Sequence, residues 1–182
     1  AGAQVVISCV GNDDDLWSVL GEESGALSNM SAGSLLIDHT TCSAQMARQI
    51  SSSAEKVGVA FVDAPVSGGQ FGAQQGQLTI MVGGSEEDYA RAQQVFACYA
   101  KSSKLMGQVG SGQLAKMVNQ ICVAGLLQGL AEGLHFAEQA GLDANAVMEV
   151  DILRHFADPQ EFSWSLVADA WNGEKSLIFG AD

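Results

Sequence analysis

Two hydrophobic rhythms divide the chain. The first half carries short apolar runs of strand length. "QVVISCV" (Gln4–Val10) is β-branched and almost unbroken, which predicts a strand buried on both faces of a parallel sheet. "GSLLID" (Gly33–Asp38), "VAFVDAPV" (Val59–Val66) and the glycine-bounded "GQLTIMVGG" (Gly76–Gly84) repeat that signal, and "KLMGQVG" (Lys104–Gly110) adds a short extended piece. Between them lie helical patterns. "GNDDDLWSVL" offers Asn12 or Asp13 as a cap, with acids that favour a helix N-terminus. "CSAQMARQISSSAEKVG" reads as a helix ending near Gly58, and "SEEDYARAQQVFACYA" opens with Ser85 and acids, a helix start.

After Gly110 the strand rhythm stops. Ser111 to Ala140 holds no proline and keeps a helical pattern, a rod of about 45 Å at 1.5 Å per residue. "GLD" breaks it, and Ala144 to about Leu153 turns helical again. Strands alternating with helices across short glycine-marked connections predict an α/β layered domain with a mostly parallel sheet. The change of rhythm puts a domain boundary near Gly110, giving residues 1–110 and 111–182.

Composition narrows the function. Of 182 residues, 47% are hydrophobic and 16% charged, as in a packed globular protein. The net charge of −13 and the lack of a basic stripe exclude nucleic-acid binding. Cys9, Cys42, Cys98 and Cys122 show no CxxC spacing, and His39, His135 and His155 are scattered, which argues against a metal site. Cys9 and Cys122 lie in apolar segments and read as buried free thiols in a reducing compartment, the cytoplasm. No apolar run reads as a membrane span. The chain starts without methionine and enters a strand almost at once, so it reads as a piece of something longer.

Lys116 stands out against this background as the only Lys or Arg from Leu105 to Leu153. At 100° per residue it shares a stripe with Asn119, Gln120 and Val123, which Leu127, Leu130 and Leu134 continue. Gln128, Glu132, His135 and Gln139 form a separate stripe, rotated by roughly 130°, which is the one expected to face water. Two readings stand for Lys116: a lysine snorkelling to water, or one lining a cleft with Asn119 and Gln120. A second candidate is the loop Ser67–Gly68–Gly69. Its backbone N–H groups carry no bulky side chains, so they can wrap a carboxylate with the Ser67 hydroxyl as a further donor. The alternative for that tripeptide is an ordinary glycine turn.

Taken together, "FVDAPVSGG…GQLTIMVGG" and "GSGQLAKMVNQ" resemble the β-hydroxyacid dehydrogenase family, which includes 3-hydroxyisobutyrate dehydrogenase and tartronate semialdehyde reductase. The likeness runs from about Ala3 to Val150. It implies a partial Rossmann-type parallel sheet, a long interdomain helix and a truncated all-α domain. It implies NAD or NADP as cofactor, a small 3-hydroxy acid as substrate, and a homo-oligomer with neither nucleic acid nor membrane as partner. Lys116 falls on the family's catalytic lysine, Ser67, Gly68 and Gly69 on its substrate loop, and Asn119 on its substrate-positioning asparagine. Gln120 stands where many relatives have a second asparagine. "DHTT" puts Thr41 near the nicotinamide ribose, and "SCVGN" puts Val10 and Gly11 near the cofactor, although Gly11 replaces a common proline.

The resemblance also has gaps. The GxGxxG turn that cradles a pyrophosphate is absent, and so is the residue that would separate NAD from NADP. Beyond about Val150 the tail departs from the family pattern, as a shifted reading frame would make it do. Two alternatives follow: a catalytically incomplete folding or oligomerisation module, and a 6-phosphogluconate dehydrogenase-like enzyme. The second fits less well, because the chain has few cations for a phosphate and no His-Asn after Lys116.

Overall fold

Three helices start where a side chain inside their own window can receive the first free N–H groups. Asn12 Oδ1 accepts from Asp15 N–H (2.9 Å) and opens α1 (Asp13–Leu20). Ser43 Oγ accepts from Met46 N–H (3.0 Å) and opens α2 (Ala44–Lys56). Ser85 Oγ accepts from Asp88 N–H (3.0 Å) and opens α4 (Glu86–Phe96). Such caps contribute about 1 kcal/mol each. The computed structural model that carries these contacts describes residues 2–21 and 23–149, so the atypical tail falls outside the described residues.

The strands are β1 (Val5–Ser8), β2 (Leu35–Asp38), β3 (Ala60–Asp63), β4 (Val66–Ser67), β5 (Leu78–Gly83) and β6 (Ala100–Gly107). β1, β2 and β3 pair in parallel, and β6 pairs in parallel with β5. β5 runs antiparallel to β3 and β4 in one continuous register, with Met81 N–H donating to Pro65 O where the two short strands meet. The sheet is thus mostly parallel, within an α/β fold. Successive residues of β2 feed opposite faces, as a pleated strand requires. Leu36 joins Leu16, Leu20, Ala47 and Ile50 beneath α1 and α2, whereas Leu35 and Ile37 join Val62, Ile80, Ala92 and Phe96 beneath α4.

Several expectations are corrected. β1 is not buried on both faces: Val5 and Ile7 are 37% and 48% exposed. It is the last strand of the sheet, and among the described residues nothing covers its α4-side face. Cys9 and Cys122 are exposed, and the buried thiol is Cys42, which desolvation pushes up to about 12. The segment expected to be loop after Ser67 contains α3 (Gly69–Gln74).

The long helix is α5 (Ser111–Gln139), followed by α6 (Ala144–Glu149). Contrary to the sequence reading, α5 is long and apolar enough to cross a membrane, by length and composition alone. The chain divides into two compact units, Ala1–Val123 and Ala124–Asp182, and all the predicted site residues lie in the first.

Candidate active site

Parallel strands deliver their C-terminal ends to one edge of a sheet, where open α/β folds bind ligands. Here Ser8, Asp38 and Asp63 stand in register across that edge, at the ends of β1, β2 and β3. Both aspartates are completely buried. A buried carboxylate needs donors. Asp38 Oδ1 collects three, from Thr40 Oγ1 (2.7 Å), Ser8 Oγ (2.8 Å) and Thr40 N–H (3.2 Å). Its Oδ2 has no partner among the described residues. Desolvation holds the Asp38 carboxyl above the usual carboxylate range and the Asp63 charge adds to this, while the bonds from Thr40 and Ser8 pull the other way.

That shift has a sign. A carboxyl raised in the fold binds more protons there than in the unfolded chain, so stability falls as pH rises through its folded value. Asp38→Asn keeps an acceptor for all three donors and removes the charge. The variant should match the parent protein in acid and exceed it near neutral pH, as read from urea midpoints between pH 4 and pH 8. A residual slope of the same sign remains in the variant, because burial raises Asp63 as well.

Asp63 has a different task. Its Oδ1 accepts from Gly110 N–H (2.7 Å) and its Oδ2 from Gln113 N–H (3.0 Å). Gly110 O accepts the first helical bond of α5, from Leu114. Asp63 therefore satisfies the cap and third-position donors that a capping box would serve, but it reaches them from a strand about fifty residues away. Desolvation raises its carboxyl, offset in part by the amides of Gly110, Gln113 and Gly112. The close approach also explains Gly112: a Cβ there would stand 2.5 Å from Met81 O and 2.8 Å from Asp63 O.

Gln113, also completely buried, ties this helix end to the loop after β2. Its Nε2 donates to Thr40 O (2.7 Å) and its Oε1 accepts from Cys42 N–H (3.1 Å). On the same loop His39 is buried and neutral, with desolvation holding it below its ordinary value. Ala64 O can only accept, so the bonded Nδ1 (2.6 Å) carries the proton, leaving Nε2 to receive the Tyr99 hydroxyl (2.8 Å).

The predicted residues sit around this frame. Lys116, one turn beyond Gln113, is only 9% exposed and has no hydrogen bond or ion pair among the described residues. Asn119 is half-buried and Gln120 exposed. Thr41 is exposed on the loop that Gln113 grips, and Val10, half-buried, donates its N–H to Thr40 Oγ1 (3.0 Å), with Gly11 exposed beside it. The structure thus joins the segments of Val10, Thr41 and Lys116 by direct hydrogen bonds. Ser67 is half-buried at the end of β4, opposite Thr79. Gly68 and Gly69 are exposed, and Gly68 has φ +126°, where a side chain is strained. This loop reaches α5 only indirectly, through Pro65 and Met81 of the β5 ladder.

Asp38, Asp63, Gln113 and Gly112 were not picked out from the sequence. A signal existed for the aspartates: each ends an otherwise apolar strand, in "LLID" and "AFVD". No group of three or more His, Cys, Asp or Glu able to hold a metal occurs among the described residues.

A parallel-edge site facing a helix clamped to the sheet marks a dinucleotide-binding α/β protein of the Rossmann type. The chain belongs to the β-hydroxyacid dehydrogenase family. The family model for the NAD binding domain of 6-phosphogluconate dehydrogenase matches residues 1–110, and that for the NAD-binding domain of NADP-dependent 3-hydroxyisobutyrate dehydrogenase matches residues 110–152. An oxidoreductase of Shewanella frigidimarina, described as uncharacterized, is 54% identical over 184 residues, covering 100% of this chain and 62% of that protein. The mitochondrial 3-hydroxyisobutyrate dehydrogenase of Bos taurus is 39% identical over 127 residues, covering 70% of this chain and 38% of the relative. A solved Mycobacterium tuberculosis 3-hydroxyisobutyrate dehydrogenase with L-serine matches at TM-score 0.74 and 31% identity, over 91% of this chain and 54% of the other. The chain spans less than two thirds of each of these relatives.

Proposed function

We propose that this chain carries the lysine-bearing half-site of an NAD(P)-dependent dehydrogenase that interconverts a 3-hydroxy acid and its semialdehyde. The observation that supports this best is Lys116: a nearly buried amine without an ionic partner among the described residues, on a helix anchored at the C-terminal edge of the sheet. A surface lysine would snorkel to water or pair with a carboxylate.

When bound, the cofactor supplies hydride exchange at the carbinol carbon. Val10, Gly11 and Thr41, at the ends of β1 and β2, would line its nicotinamide side. They fit that task as far as they go, being accessible and joined to each other through Thr40. The amides of Gly68 and Gly69 and the Ser67 hydroxyl would hold the substrate carboxylate. Asn119, one turn beyond Lys116, and Gln120 beside it would orient the hydroxyl. In oxidation the neutral amine of Lys116 takes the hydroxyl proton, and in reduction the ammonium returns it.

We also propose residues 1–110 as the cofactor domain, with a helical domain from residue 111. The same reading takes the protein to be a cytoplasmic homo-oligomer. Exposed Leu114, Val118 and Ile121 on one side of α5 support protein–protein packing.

The test uses the protein expressed from its whole reading frame, with 3-hydroxyisobutyrate and either cofactor, following absorbance of the reduced nicotinamide. Turnover with one cofactor supports the reading. Absence of both turnover and NAD(P)H fluorescence change at millimolar cofactor would favour a non-catalytic module.

A further inference from the structure

We propose that Gln113 is a positioning residue, which locks the Lys116 helix to the loop carrying Thr41 by clamping the Thr40 carbonyl and the Cys42 amide. The inference rests on the reading of Lys116 as the proton-transfer group, and it adds a residue to that reading.

The geometry is unusually constrained for a glutamine. Thr40 O can only accept and Cys42 N–H can only donate, so the side-chain amide has one permitted orientation, with no flipped alternative. Both partners belong to one loop and flank Thr41. The grip extends further. Thr40 N–H and Oγ1 both bond Asp38, and Thr40 Oγ1 also receives the Val10 N–H. One side chain therefore references α5 to both segments assigned to the cofactor.

Asp63 alone cannot do this. It holds two backbone N–H groups at the helix end, which fixes where α5 begins. It leaves the rotation of the helix about that end to other contacts. Gln113 and Lys116 are three residues apart and share a helix face. A clamp on the first therefore sets the azimuth of the second, one turn and about 4.5 Å further on. Misplacing a reacting group by about 1 Å costs on the order of 100-fold in rate.

Two substitutions separate positioning from packing. Gln113→Met keeps the volume and loses both bonds. Gln113→Glu keeps the acceptor for Cys42 but sets a carboxylate oxygen against Thr40 O. When protonated, that acid regains a donor and rebuilds the clamp. In the whole-reading-frame protein, kcat should fall about 100-fold for Gln113→Met, with KM for the hydroxy acid moving less than about threefold. The kcat ratio of Gln113→Glu to the parent should rise as pH falls, whereas that of Gln113→Met stays flat. Asp38, Asp63, Cys42 and Lys116 surround the position in all three proteins and cancel in the ratio. A lowered melting temperature with kcat intact in both variants, or a flat Gln113→Glu ratio, would overturn the proposal.

A measurement without turnover keeps the inference separate from the enzymatic reading. Acylation of Lys116 is read by mass spectrometry against the exposed Lys101 and Lys104. The clamp predicts a change of about threefold or more in relative Lys116 labelling in Gln113→Met, on the order of 0.6 kcal/mol by the usual conversion. If the parent protein turns nothing over, the function reading fails, and this labelling ratio alone decides the clamp. An unchanged ratio refutes it.

Discussion

Replacing Lys116 by alanine should lower kcat by about 10²–10⁴-fold, the usual cost of losing a general acid/base, and leave the fold standing. The fold survives because the ammonium makes no hydrogen bond or ion pair among the described residues, so the substitution orphans no partner. It also removes a charge from a site that is 9% exposed, which offsets the packing lost with the stem. Lys116→Arg should not rescue turnover, since a guanidinium cannot act as a neutral base in a protein. Steady-state kinetics beside a circular-dichroism melt check both halves. Turnover within about threefold of the parent would end the assignment of Lys116.

The second large effect is on stability. Asp63→Ala should cost about 2–4 kcal/mol, seen as a shift of roughly 10 °C in the melting midpoint for a chain of this size. Two terms oppose each other. Removing the carboxylate relieves a buried charge whose carboxyl burial has raised. Against that, the N–H groups of Gly110 and Gln113 are left without acceptors, at about 1–3 kcal/mol each, and the α5 N-terminus loses its anion. The orphaned donors win because they are held by the helix and cannot turn to water. Asp63→Asn should fall between the two proteins, since it keeps one acceptor and points an N–H₂ at the other donor. Equal midpoints for Asp63→Ala and the parent would show that the cap contributes nothing.

What could be read in advance follows from where the information sits. Asn12, Ser43 and Ser85 cap helices through contacts three residues away, so a short window contains the whole interaction. The apolar runs of β2 and β3 and the proline-free stretch of α5 are equally local. The exposure of β1 was not legible, because "QVVISCV" has the same pattern whether or not a helix covers it. Nor was the short break that makes β4 and α3 out of "VSGGQFGAQQ", where a glycine turn and a one-and-a-half-turn helix look alike.

The sequence by itself determined the elements, their order, the α/β class and the oddity of a single lysine in a long apolar helix. The family motifs rest on the same local spacing. The tertiary structure alone decided what surrounds that lysine. Asp63 meets Gly110 and Gln113, and Gln113 meets Thr40 and Cys42, across 47 to 73 residues of chain. Such contacts depend on strand register and on how closely α5 can approach through Gly112, which only packing sets.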